Sequence, residues 1–262
     1  MIFRFGLLAA IALVCGCAKF PETAGGEQFT RVTFRMRVGG KINTALDEDG
    51  TIYYIYDVAI RATPELNPED RFAPVPVVAS NNPNGRMAGS PTHFVEFDSQ
   101  NPNSAEPFIL YRFATQAEVP NPSDPTNPIN LNSFSRATRG RIVNYQNLSE
   151  DPSVLQFDIF VNQLADDDTA ARLLTSLQVN FLTMSRLSTG VGGTRAIDSI
   201  GDNRVPSEFN RYIKIDLRQN GVTNNQSGIT TGIEPTGDIY PTGVNDPDLD
   251  IVDWSIEVHR EG

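Results

Sequence analysis

The chain has 262 residues, 39% of them hydrophobic, and its 32 acids against 21 bases give a formal charge of −11. Fifteen Phe and seven Tyr supply the apolar mass of a packed core, so the composition is globular and not disordered. Two cysteines cannot build a disulfide framework, Cys15, Cys17, His93 and His259 lack the spacing of a zinc site, and the acidic balance argues against nucleic acid as a partner.

Residues 1–17 read MIFRFGLLAAIALVCGC. Arg4 precedes an apolar run from Phe5 to Val14, long enough for a secretory core and too short for a hydrocarbon layer of ~30 Å. A disulfide between Cys15 and Cys17 would be strained, and a metal pair lacks further ligands. Val14-Cys15-Gly16-Cys17 places a branched apolar residue and two small residues before a Cys. This resembles the lipobox of bacterial lipoproteins. The resemblance implies cleavage between Gly16 and Cys17 by signal peptidase II, and acylation of Cys17 with a diacylglyceryl group and an N-acyl chain such as palmitate. Cys15 fits poorly as the anchor, because Leu13 and Val14 would then occupy the small positions. Each buried CH₂ contributes ~0.8 kcal/mol and one chain holds only marginally, so this set anchors durably. The membrane is therefore one expected partner, reached through Cys17. Ala18 stands where an Asp would imply inner-membrane retention in some diderms, which places the protein at the outer membrane of such a host.

The expected organisation is a signal peptide over 1–16, a lipidated tether over 17–28 and a single β-sandwich-like domain over 29–262. Losing the leader makes the net charge one unit more negative and leaves no cysteine outside the anchor. Folding must then rest on a hydrophobic core.

Period-two patterning starts at once. In FTRVTFRMRV (29–38), Val32, Phe34, Met36 and Val38 alternate with Arg31, Thr33, Arg35 and Arg37, predicting a strand with a cationic outer face. TIYYIYDVAIRA (51–62) alternates similarly, and the two are expected to pair as a hairpin across GGKINTALDEDG. Further strands are predicted at 74–79, 93–98, 107–116, 139–146, 154–162, 177–186, 211–218 and 251–259. Twelve of the 18 prolines lie between 64 and 128, which argues against long helices there. One helix is predicted in ADDDTAARLLTSL (165–177), with the Asp triplet at its N-terminus and Leu173, Leu174 and Leu177 inward. Residues 118–132 and 220–250 read as long loops, of the kind that often carry function.

About ten short strands, one short helix and long loops predict a mainly β fold, an antiparallel β-sandwich or open barrel. PVPVVASNNPNGRMAGSPTHFVEFD (74–98) with PFILYRFA (107–114) resembles secreted bacterial β-rich proteins of unknown function, and that resemblance implies no activity. DEDGTIYYIYDVAI (47–60) resembles DOMON-like and family-9-type carbohydrate modules, sandwiches that bind haem or sugars.

Catalytic chemistry is harder to place. His93 opens a strand, His259 closes one, and no G-x-S-x-G elbow is present. STGVGGTR (188–195) lacks the Lys of a phosphate loop and reads as a turn. Glu96 with Asp98, and Asp253 with Glu257, share strand faces as a glycoside hydrolase's carboxylates would, but solvated faces explain them. Asp246, Asp248 and Asp250 alternate in NDPDLD beside Asn245, a pattern that suits calcium's oxygen shell, with LDEDG (46–50) a smaller cluster. For stacking on sugars, Tyr53, Tyr111, Tyr240 and Trp254 are available, and parity assigns Trp254 to the core. No catalytic or metal-ligating residue is assigned and no cofactor is expected, calcium at Asp246, Asp248 and Asp250 being the alternative. The expected function is a lipid-anchored cell-envelope protein with a non-catalytic binding or scaffolding domain that contacts envelope glycan or protein through 220–250. Glycan binding or hydrolysis, and surface assembly, are the alternatives.

Overall fold

The computed structural model describes residues 29–44, 54–76, 85–115, 129–185, 195–227 and 234–260. The predicted leader, Cys15, Gly16, Cys17, the predicted tether, Tyr53, the whole of LDEDG and most of STGVGGTR lie outside them.

Alternation makes the first strand. β1 (Arg31–Val38) buries Val32, Phe34, Met36 and Val38 completely or nearly so, and turns its three arginines outward. It is flanked by β8 (Val154–Phe160) and β13 (Ile251–His259), and β12 (Gly221–Asn224) extends β13, giving a four-stranded sheet in the order β12-β13-β1-β8. The outward arginines meet acids on the neighbouring strands and turns: Arg35 reaches Asp253 at 2.8 Å, Arg37 reaches Asp151 at 2.7 Å, and Arg31 reaches Asp158 at 3.4 Å. Such exposed pairs hold register more than they add stability.

The larger sheet has seven strands. Its path runs from β10 (Ile197–Ser199) through β9 (Ser176–Met184), β2 (Ile55–Thr63), β5 (His93–Phe97) and β6 (Phe108–Thr115) to β7 (Ile129–Arg136). β11 (Ile213–Asp216) pairs with the other half of β9. A two-stranded ribbon, β3 (Val75–Pro76) with β4 (Met87–Ala88), stands apart. Between the sheets lies the main core. Phe34 stacks on Phe157 with centroids 5.4 Å apart, and Trp254, wholly buried, packs beside Phe181. The fold is the mainly β sandwich-like class that the patterning predicts.

The two sheets are not alike. The four-stranded sheet has one buried and one half-exposed face, as its alternation requires. The seven-stranded sheet is covered on both faces: behind it a second cluster gathers Ala59, Met87, Phe94, Phe113, Leu182, Met184 and Ile197. All nine residues of β9 are therefore buried, polar ones included. Gln178 donates to Glu69 O at 3.2 Å. Asn180 donates to Pro74 O and Arg211 O and accepts from Ile200 N–H, so one amide ties three covering segments to the sheet.

Several expectations are corrected. β1 and β2 do not form a hairpin, because β1 belongs to the four-stranded sheet and β2 to the seven-stranded one. Residues 139–146 make only an isolated bridge, Tyr145 to Phe157, since Val143 is 67% exposed and the stretch has no second apolar row. The helix is a short one, α1 (Asp168–Leu173), capped by Asp167, whose carboxylate accepts from Ala170 N–H at 2.7 Å. It ends where β9 begins, leaving Leu173 63% exposed and Leu177 in the strand. The 220–250 stretch is not a free loop: it forms β12, and Asp238, Ile239 and Leu249 are buried. β7 runs through the end of the predicted 118–132 loop.

Replacing Asn180 by Ala should leave two carbonyls and an N–H without partners behind the large sheet. At about 1–3 kcal/mol for each orphaned buried group, urea unfolding is expected to show a loss on the order of 3 kcal/mol, with no change in far-ultraviolet circular dichroism.

Candidate functional site

Two groups of buried carboxylates stand out, and they are neutralised differently. The first lies behind the large sheet. Asp57 of β2 and Glu96 of β5 are register partners, so their side chains share a face, and both meet Arg86 from the segment before β4. Arg86 bonds Asp57 at 2.8 Å and pairs with Glu96, and its guanidinium lies 5.1 Å from the Phe94 ring centre. Burial pushes the Asp57 carboxyl up and Arg86 draws it back, while Glu96 raises it again. Burial alone would lower Arg86, yet Asp57 and Glu96 together hold it above its ordinary value. The geometry describes a structural ion triad under an aromatic cover, since the charges compensate one another.

The second group sits at one end of the sandwich, where the sheets' edges approach. β10 pairs with β9 so that Asp198 is opposite Thr183, and parity turns both toward the space between the sheets. Just past β10, Gly201 adopts φ +108°, a conformation open to glycine, and points its N–H at Glu234 Oε2 at 3.0 Å. Asn203 N–H donates to Asp238 Oδ2 at 3.0 Å. Asp198 takes three donors: Ser199 N–H at 2.9 Å, Ile251 N–H at 2.6 Å and the Asn203 amide at 2.5 Å. Asp250, at the start of β13, accepts from Gly237 N–H at 2.8 Å. Asp198, Glu234 and Asp238 each offer an oxygen, and these lie within 4.8 Å of one another.

All three residues are buried, with Asp198 and Asp238 at 0% exposure and Glu234 at 4%. Glu234 Oε1 and Asp238 Oδ1 have no hydrogen-bond partner among the described residues. Burial pushes Glu234 well above the usual carboxylate range, and Asp198 and Asp238 push it further. Asp198 is raised by burial and then by Asp238, and Asp238 is pushed up to about 6, chiefly by burial. Arg204 is a cation near the group, an exposed side chain held by both oxygens of Asp202 at 2.8 Å. The arrangement packs three carboxyl groups into a buried space, and ionising all of them there calls for a positively charged ligand.

The residues singled out from the sequence are distributed elsewhere. Asp246 accepts from the Tyr54 hydroxyl and from Asp248 N–H, Asp248 accepts from Lys41 N–H at 2.8 Å, and only Asp250 reaches the buried group's surroundings. Glu96 is in the ion triad, and Asp98 closes the turn at 98–101 by accepting from Gln100 and Asn101. Asp253 pairs with Arg35, and Glu257 with His259 at 3.1 Å. His93 and His259 stand on different sheets, His93 sealed inside against Thr92 at 3.0 Å. Trp254 is core, Tyr111 stacks on Phe94 at 4.8 Å, and Tyr240 meets Phe209 edge-on at 5.3 Å. A cavity of about 320 Å³ beside β6 has Glu106 as its single acidic lining residue, paired with Arg136 and Arg141. Sequence reasoning missed Asp198, Glu234 and Asp238. The available signal was acids in apolar company, Ile197-Asp198-Ser199-Ile200 and Asp238-Ile239, in stretches otherwise typical of turns.

Comparison with protein-family models, curated proteins and solved structures returns no match to this chain. Among the described residues no helix is long and apolar enough to cross a membrane.

Two measurements test these assignments. Arg86→Met should cost about 3–5 kcal/mol, the loss typical of stranding a buried charge, and adding Asp57→Asn should recover part of it in urea unfolding. His93 titrates near 3 in the folded protein, lowered by burial and then by Arg112. The unfolded chain, titrating near 6.5, binds the extra proton between those values. The neutral ring's stabilisation is thus complete above pH 6.5 and lost as pH falls. Relative to His93→Gln, the parent should lose about 2 kcal/mol between pH 7 and pH 5.

Proposed function

We propose that this chain is a lipid-anchored bacterial cell-envelope protein whose β-sandwich is a non-catalytic binding or scaffolding domain. The observation that carries the reading is the run from Phe5 to Val14 closed by Val14-Cys15-Gly16-Cys17, followed by a tether over 17–28 and then directly by the patterned strand β1. Acylated Cys17 fixes the domain to one leaflet, in the outer membrane of a diderm host. There, weak contacts to envelope glycan or protein gain from a high effective concentration.

The organisation of the sandwich supports binding over hydrolysis. A glycosidase holds two carboxyl groups ~5–10 Å apart facing a cleft open to a sugar. Here the strand-face acids Asp253, Glu257 and Glu96 are engaged with Arg35, His259 and Arg86. Among the described residues, the tyrosines named for stacking on a sugar ring, Tyr111 and Tyr240, pack on Phe94 and Phe209.

Mass spectrometry of the protein purified from its host checks the anchor. The mature N-terminus is expected at Cys17, carrying a diacylglyceryl and an N-acyl group, and labelled palmitate should enter the parent but not Cys17→Ser. An unmodified N-terminus at any other residue would sink the reading.

A further inference from the structure

We propose that Asp198, Glu234 and Asp238 form a site for one hard divalent cation, calcium by the character of its ligands, that clamps the edges of the two sheets together. The three side chains come from two places: Asp198 from β10 of the seven-stranded sheet, Glu234 and Asp238 from the segment leading to β13. Asp250, one residue before β13 of the four-stranded sheet, stands beside them.

Three independent features point to a cation. The oxygens offered by the three carboxylates lie within 4.8 Å of one another, and calcium's ligands at ~2.3–2.6 Å span at most about 5 Å across the ion, so the group has the dimensions of one shared coordination shell. Glu234 Oε1 and Asp238 Oδ1 are buried and have no hydrogen-bond partner among the described residues, while the other oxygen of each is fixed by a backbone N–H. Each carboxylate is thus held by one oxygen and presents the other. Asp198 accepts three N–H donors, the pattern of an ionised carboxylate, which is an acceptor only. Ligands that are all oxygen, without imidazole or thiolate, select calcium, magnesium or manganese over zinc and copper. Sites assembled from loops without a rigid octahedron suit calcium best. Asn203 completes the frame: its amide donates to Asp198 and to Ser199 O, and its own oxygen accepts from the Ser199 hydroxyl.

Asp250, Asp202 and Arg204 are charged groups around the site, and Arg211, paired with Glu208, lies against Gly201. Arg204 is exposed and held by Asp202, in contrast to Arg86, which lies inside its own carboxylate pair. The cation would do at this end of the sandwich what Arg86 does behind the large sheet.

The test uses the full-length chain in non-ionic detergent, stripped with a chelator and dialysed against millimolar calcium, with magnesium in parallel. One calcium per chain is expected by elemental analysis, together with a rise of several degrees in Tm, since a ligand of the folded state alone must raise it. Asp238→Asn and Glu234→Gln should abolish both effects, and Asp246→Asn should leave them intact. Zero calcium bound by the parent would overturn the proposal, an outcome that needs no variant to fold. So would a loss of the ion in Asp246→Asn with retention in Asp238→Asn, which would move the ion to the exposed acidic run. Saturation by magnesium alone would refute the assignment to calcium.

Discussion

Burying both faces of one sheet is the constraint from which the rest of this structure follows. A sheet open on one side needs only alternation, and the four-stranded sheet obeys it, apolar inward and arginine outward. The seven-stranded sheet has no solvated face along β9, so every polar atom there must find a partner within the protein. Gln178 and Asn180 find theirs in the carbonyls of the covering segments. The covering layer is itself largely irregular chain, and irregular chain has unpaired backbone groups to offer. The polar residues of β9 and the loops that cover it therefore satisfy each other, and neither arrangement is stable alone.

The same enclosure brings carboxylates into dry surroundings twice. Asp57 and Glu96 share a face because antiparallel register sets them side by side, and Arg86 enters with its segment to balance them. Asp198, Glu234 and Asp238 are gathered by turns at the sheet edges and oriented by backbone N–H groups. In the first group a side chain supplies positive charge at the centre. In the second Arg204 stays at the surface, held by Asp202. Two solutions to one electrostatic problem within one chain make the difference between them meaningful.

Strands with a solvated face were legible in the sequence, and β1 and β13 carry the clearest patterns because hydration on one side enforces a period of two. Strands created by their neighbours were not. β10 has three residues and β12 four, and their status comes from pairing with β9 and β13 and not from any pattern of their own. β7 begins inside an Asn- and Pro-rich stretch whose composition says turn. Pairing partners were equally hidden, since nothing local tells β1 that its neighbours are β8 and β13 and not the next strand along. The buried acids share that difficulty. Asp198 stands some 36 residues before Glu234, and only the meeting of two sheet edges makes them one group. The visible acidic run at 246–250 lies close by, and of its members Asp250 alone approaches the buried three.

The pairing of β1 with β13 also sets an order of assembly. Arg35 and Asp253, hydrogen-bonded neighbours across that pair, are 218 residues apart. A chain emerging N-terminus first presents β1 early, with Phe34 and Met36 ready for a core, yet the strand that must lie beside it comes last. The four-stranded sheet cannot close until β13 has arrived, and contacts of such long range are slow to form. Until then β1 has β8 for its neighbour on one side and an open edge where β13 will lie.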